Sequence, residues 1–194
     1  LRTASQNSAV VEILNDCVVW PDSGLVRTRD GRMRFDLIWG EENLGYCGQY
    51  DSWRNWFPRR ITGPCVNVSL LWWQNYYHWI CDVLPRLQNK LWDDDVRFLL
   101  PRSLSEWQID TLRIIGLQPS RFEYCDARRP VRVEELLHLG PVIMTGNTES
   151  ASICSVRDSI VTSLHPKADE SGSRRRIYIS RKNAAHRRIV NEQE

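Results

Sequence analysis

The sequence predicts an α/β domain built around a mostly parallel sheet. Three observations predict it. From residue 65 onward, short apolar runs alternate with segments of helical period. Those segments are long enough to recross a sheet between parallel strands. An apolar content of 42% beside a charged content of 26% is that of a globular chain. The length of 194 residues suits one domain, or one domain and part of another.

Residues 1–60 read as short strands and turns. "CVVWP" (17–21), "GLVRT" (24–28) and "MRFDLIW" (33–39) are the strands. "PDSG" and "RDG" turn between them, and the second suggests a hairpin. "GQYDSWRNWFPRR" (48–60) has no period and reads as a loop.

"CVNVSLLW" (65–72) is the next strand, and residues 75–92 have helical period. "VRFLLP" (96–101) is a strand. "SLSEWQIDTLRIIG" (103–116) is a helix with Ser103 or Ser105 as N-cap and Gly116 as its stop. "RFEYC" (121–125) and "VRVEELLHLG" (131–140) are strands. "SASICSVRDSIVTSLHP" (150–166) is a helix closed by Pro166. "KADESGSRR" (167–175) is a polar linker, and "RIYIS" (176–180) is a strand that opens a second domain. "NEQE" (191–194) resembles a capping box, with Asn191 as N-cap and Glu194 three residues on. A helix is announced where the sequence stops, so the expectation is a fragment cut one strand into a second domain.

The net charge of +2 is too small for bulk attraction to nucleic acid or membrane. Basic residues are not interleaved with aromatics along one element, which argues against a nucleic-acid partner. Six cysteines, at 17, 47, 65, 81, 125 and 154, include no C-x-x-C pair and are expected reduced and mostly buried. Asn67-Val68-Ser69 fits the N-glycosylation pattern but falls in an expected strand. No run of about 18 apolar residues could span a bilayer. Phosphate loops of the P-loop or G-x-G-x-x-G type and a G-x-S-x-G elbow are absent from the sequence.

Two stretches carry chemistry. In "NYYHWICDVLPRL" (75–87), Ile80, Leu84, Leu87 and Leu91 fall on one helical stripe at about 100° per residue. Asn75, His78, Asp82, Arg86 and Asn89 fall nearly opposite, so the helix is expected to bury one side and offer the other. His78 and Asp82 are i and i+4, so their side chains can meet. The carboxylate can fix the imidazole tautomer, and such a pair can take a proton from a hydroxyl near neutral pH. One His and one Asp are too few for a metal site. The bland alternative is an ordinary amphipathic surface helix. Against it, the polar face has neither Lys nor Glu before Lys90, and aromatics flank it.

The second stretch, "RRRIYISRKNAAHRRIVNEQE" (174–194), is a strand, a basic loop and a helix start. Guanidinium groups and backbone N–H groups in that placement can bind a diphosphate. A basic tail is the alternative.

Together the two stretches resemble glycosyltransferase family 61. The first matches the bacterial form of the family's N-Y-x-H-W-x-x-D-x-L-P-R-L. The second resembles its I-Y-I-S-R followed by R-R-x-x-N-E. The resemblance covers residues 65–194 well.

It implies an α/β, GT-B-like architecture of two Rossmann-like domains facing across a cleft. Residues 1–64 would be a β-rich region of the acceptor-side domain and 65–166 its Rossmann-like body. After the linker, 176–194 would begin the nucleotide-sugar-binding domain. The implied reaction is inverting and metal-independent, with no cofactor. It moves a sugar from a nucleotide-sugar donor to a glycan or glycoprotein acceptor. His78 and Asp82 take the catalytic positions, either one being the base, with Asn75 and Arg86 in support. Arg181, Arg187, Arg188, Asn191 and Glu192 take the donor diphosphate.

The family continues with a glycine-containing segment and an acidic-ended strand that complete the donor pocket. This sequence ends before both, so the chain alone is expected to be inactive. A non-catalytic binding module or a degenerate transferase domain is the competing reading. The bacterial form of the motifs implies a cytoplasmic, membrane-associated protein, or the secretory lumen for a eukaryotic member.

Overall fold

Runs of buried Val, Ile, Leu and Cys lie on strands that hydrogen-bond into a six-stranded sheet. In this computed structural model, residues 11–38, 41–47, 57–88, 92–126, 129–139 and 150–164 are described, all within the unit Leu1–Leu164. The strands are β1 (Val11–Val19), β2 (Val26–Arg27), β3 (Arg59–Asn67), β4 (Arg97–Pro101), β5 (Phe122–Cys125) and β6 (Val131–Leu139). Their order is β2-β1-β6-β3-β4-β5.

The pairings β6-β3, β3-β4 and β4-β5 are parallel. The pairings β1-β2 and β1-β6 are antiparallel. The expected α/β class is therefore observed as a mixed sheet with a parallel body. From β3 the chain moves outward through β4 to β5, then returns to the other side of β3 as β6. Strand order thus reverses between β3 and β6, and ligands of open α/β sheets gather at the carboxyl ends of strands at such a point.

Strand boundaries differ from expectation near β3. Arg59 and Arg60 belong to the strand rather than to the loop, and it ends at Asn67. Pairing with β6 shifts register between Ile61 and Pro64, where Gly63 has φ 75°. This bulge bends the strand, and Arg59 reaches Glu123 of β5 at 2.6 Å.

The parallel strands bury both faces. Val66, Val68, Phe98 and Leu100 face one cluster, while Cys65 and Leu99 face another. This is the two-residue alternation of a strand covered on both sides.

The strand expected over 33–39 is a correction. Met33 makes one bridge to Arg27, and Phe35–Ile38 forms a 3₁₀ turn. Arg34 is pinned between Glu12 (2.7 Å) and Asp36 (2.6 Å), and the consecutive Leu37 and Ile38 are both buried. A strand would send those two to opposite faces.

Residues 76–87 form a composite helix, α1. It is α-helical over Tyr76–His78, π-helical over Trp79–Val83 and 3₁₀ over Leu84–Leu87. Helix α2 (Glu106–Ile114) starts at Ser105, whose backbone N–H donates to the Gln108 side-chain oxygen at 3.1 Å. It stops at Gly116 with φ 97°. There Gly116 N–H bonds Arg113 O (2.9 Å) and Leu117 N–H bonds Leu112 O (3.0 Å), a Schellman stop. Helix α3 (Ser150–Leu164) completes the layer and ends two residues before Pro166.

All six cysteines are free, and Cys17, Cys47, Cys65 and Cys125 are buried. Burial pushes the Cys17 thiol up to about 12, so it packs as a small apolar group. Among the described residues no helix is long and apolar enough to cross a membrane.

Candidate functional site

The site begins where β3 ends. Asn67 closes the strand and is buried, with its Nδ2 donating to Ser69 O at 2.8 Å. The Trp20–Leu25 turn packs against the same point. Gly24 has φ 77°, and a Cβ there would stand 3.2 Å from Ser69 O, so only glycine fits this approach.

After Trp72, whose φ of 62° is rare for a bulky residue, the chain enters α1. Asn75 is exposed and serves as N-cap, its Oδ1 accepting from Tyr77 N–H at 2.9 Å. The structure therefore gives Asn75 the task of starting the helix that carries His78.

His78 and Asp82 meet as the spacing implied. Nδ1 lies 2.6 Å from Asp82 Oδ2. Their environments differ: the His78 side chain is 17% exposed and that of Asp82 only 2%. The imidazole sits between two rings, Trp72 at 5.6 Å and Tyr77 at 5.5 Å between centroids. Asp82 Oδ1 is buried without a hydrogen-bond partner, as are Asn67 Oδ1 and Ser69 Oγ at the strand end.

Arg86 corrects the picture of one buried and one open helix face. Asp82 and Arg86 are both buried, while Ile80 is half-buried. The cause is packing on both sides. Trp79, Val83, Leu84 and Leu87 join the core with Leu112 of α2 and Val156 of α3. On the other side, Arg86 Nη2 donates to Val68 O (2.9 Å) and Asn67 O (3.4 Å). Burial pulls the Arg86 guanidinium down to about 10, against the nearby charge of Asp82. Arg86 thus ties α1 to the end of β3 and is not open to an acceptor.

His138 was not foreseen. It lies two residues beyond Leu136, which pairs with Cys65, so it stands level with Asn67 on the neighbouring strand. It is buried and its Nε2 has no hydrogen-bond partner. Burial pushes the imidazole down to about 4, and the Arg86 charge adds to this. A polar residue set between leucines near the end of β6 is the local sign it leaves.

The second stretch, with Arg181, Arg187, Arg188, Asn191 and Glu192, lies outside the described residues, as does Asn89. Among the described residues no group of three or more His, Cys, Asp or Glu could hold a metal.

The fold is thus an α/β one with an ionisable pair near the carboxyl end of a parallel strand, beside a strand-order reversal. Glycosyltransferase 61 is the family that matches, over residues 76–194. The chain belongs to that family. No curated protein and no solved structure matches it.

Proposed function

We propose that this protein is an inverting glycosyltransferase that moves a sugar from a nucleoside-diphosphate sugar to a hydroxyl of a glycan or glycoprotein acceptor. The observation that carries the reading is the His78–Asp82 pair at the strand-order reversal, in a chain of this family. In this reading His78 is the general base and Asp82 positions it. Asp82 Oδ2 is occupied by Nδ1–H and its side chain is sealed from solvent, so a hydroxyl can approach only His78. The ring tautomer with a proton on Nδ1 leaves a lone pair on Nε2.

The acceptor oxygen attacks the anomeric carbon, its proton passes to His78 Nε2, and the bond from that carbon to the diphosphate oxygen breaks. Attack opposite the leaving group inverts the centre. The departing diphosphate needs positive charge, which Arg181, Arg187 and Arg188 would supply, with Asn191 and Glu192 as further donor-side residues. With that supply the proposed reaction needs no metal.

The test is release of nucleoside diphosphate from a panel of UDP- and GDP-sugars by the full-length protein, with and without neutral oligosaccharide acceptors. His78→Ala should reduce acceptor-dependent release by about a hundredfold or more. Wild-type rates in that variant would refute the assignment.

A further inference from the structure

Three aromatic rings around α1 are left open to solvent. Tyr76 is 69% exposed, Tyr77 43% and Trp107, on the first turn of α2, 40%. Exposed aromatic surface gathered in one place marks an interaction site. These rings are ordered by what lies beneath them. Buried Trp79 donates its indole N–H to Thr111 Oγ1 at 2.9 Å, and that hydroxyl donates to Gln108 O at 2.7 Å. Trp107 meets Trp79 edge-on at 6.1 Å, and Tyr76 lies 5.6 Å from Trp107 with the two planes tilted by 38°. Tyr76 and Trp107 therefore form one exposed aromatic cluster seated on Trp79, and Tyr76 lies on the α-helical turn that also carries His78.

We propose that Tyr76 and Trp107, backed by Trp79, are a stacking ledge for an uncharged sugar residue of the acceptor. The proposal rests on the glycosyltransferase reading above. A pyranose presents a face of C–H bonds with partial positive charge, and an aromatic face is negative, so the two stack. The charges beside Trp107 are acidic. Glu106 and Asp110 flank it on α2, and among the described residues only Asp110 has an ion-pair partner, Arg113 at 2.8 Å. An anionic sugar would meet a negative ring face and a free carboxylate, whereas a neutral one meets neither penalty. Because the rings are already held, little side-chain freedom is lost on binding.

The experiment is calorimetric titration of the full-length protein with cellohexaose, xylohexaose and chitohexaose as neutral probes, and a hyaluronan hexasaccharide as the charged one. At least one neutral probe should bind, and the charged one should not. Tyr76→Ala and Trp107→Ala should each weaken binding about tenfold or more, which corresponds to about 1.4 kcal/mol. Trp107→Phe should retain most of it. Tyr124→Ala, at an exposed ring on the edge strand β5, should leave it unchanged.

Failure of all neutral probes to bind, equal binding of the charged probe, or unchanged binding in Tyr76→Ala overturns the ledge. Tyr76 is open enough that its variant will fold, so a destabilised Trp107→Ala leaves the question decided by Tyr76. A protein partner on this surface would also leave oligosaccharide binding unmoved by both variants. The catalytic reading separates cleanly. His78→Ala should lose turnover and keep oligosaccharide binding. Ledge-dependent binding with intact His78→Ala turnover would sink the base assignment alone, and the reverse pattern would sink the ledge alone.

Discussion

Arg86 donates through Nη2 to the carbonyl oxygen of Val68 at 2.9 Å, which locks the last turn of α1 onto the end of β3. The residue is fully enclosed, and the carbonyls of Asn67 and Val68, with the nearby charge of Asp82, help to hold its charge inside. This lock also sets the distance from β3 to His78, one helical turn before Asp82.

Arg86→Ala should therefore unfold the protein more easily, by about 3 kcal/mol or more, because carbonyls and a carboxylate lose their buried partner. Urea unfolding followed by far-UV circular dichroism reads this as a lower midpoint. A site arginine open to solvent would shift stability by no more than about 0.5 kcal/mol. A null result in that range would mean that the guanidinium is not enclosed.

Asp82→Asn keeps the size of the side chain but can offer its NH₂ to His78 Nδ1. The imidazole would then carry its proton on Nε2, the atom that must accept one. Turnover should fall about a hundredfold or more, with acceptor KM little changed, because the loss falls on proton transfer rather than on acceptor contacts. A KM rise with unchanged kcat would instead put Asp82 in acceptor binding.

The parts of this fold that could be read in advance were those decided locally. Ser105 and Gly116 bracket α2 because cap chemistry depends on a few neighbouring residues. The strands at β4, β5 and β6 announce themselves by short stretches rich in Val, Leu, Phe and Tyr between turn residues. The pairing of His78 with Asp82 follows from helical spacing, and survives in α1 although its middle turn is π-helical.

What escaped was set by distant contacts. Residues 35–38 coil instead of extending because Arg34 answers to Glu12 on β1. Arg86 is buried because α2 and α3 pack over α1, which no helical wheel of residues 75–92 contains. His138 meets Arg86 only through the register of β6 on β3.

The stop of α2 gives a sharper local test. Gly116 at φ 97° occupies a conformation that a Cβ disfavours, and its N–H closes the Schellman turn. Gly116→Ala should cost about 1–2 kcal/mol and lower the melting temperature. Gly45 lies in a 3₁₀ turn, and a Cβ added there would meet nothing within 4 Å. Gly45→Ala should leave the melting temperature unchanged or raise it slightly. Equal effects at both positions would remove the conformational explanation.

His138 predicts how stability responds to acid. It is held near 4, first by burial and then by Arg86, with Glu12 and Asp36 opposing and Arg34 assisting. Unfolded, it would titrate at about 6.5. Between those values the unfolded chain binds a proton that the folded chain refuses. Stability therefore rises with pH through this window and is lost as pH falls through it, with a limiting slope of about 1.4 kcal/mol per pH unit.

Asp22 runs the other way. Burial raises it to about 6, so the folded state keeps a proton that the unfolded state has released. Its contribution falls as pH rises from about 4 to 6, which masks His138 in the raw curve. The informative quantity is the difference between wild type and His138→Gln in urea unfolding from pH 4 to 8. That difference should shift in favour of the variant as pH drops below about 6.5, by about 3 kcal/mol at the acid end. Two parallel curves would mean that His138 carries its proton as easily folded as unfolded, and that water or another acceptor receives an Nε2–H in the folded state.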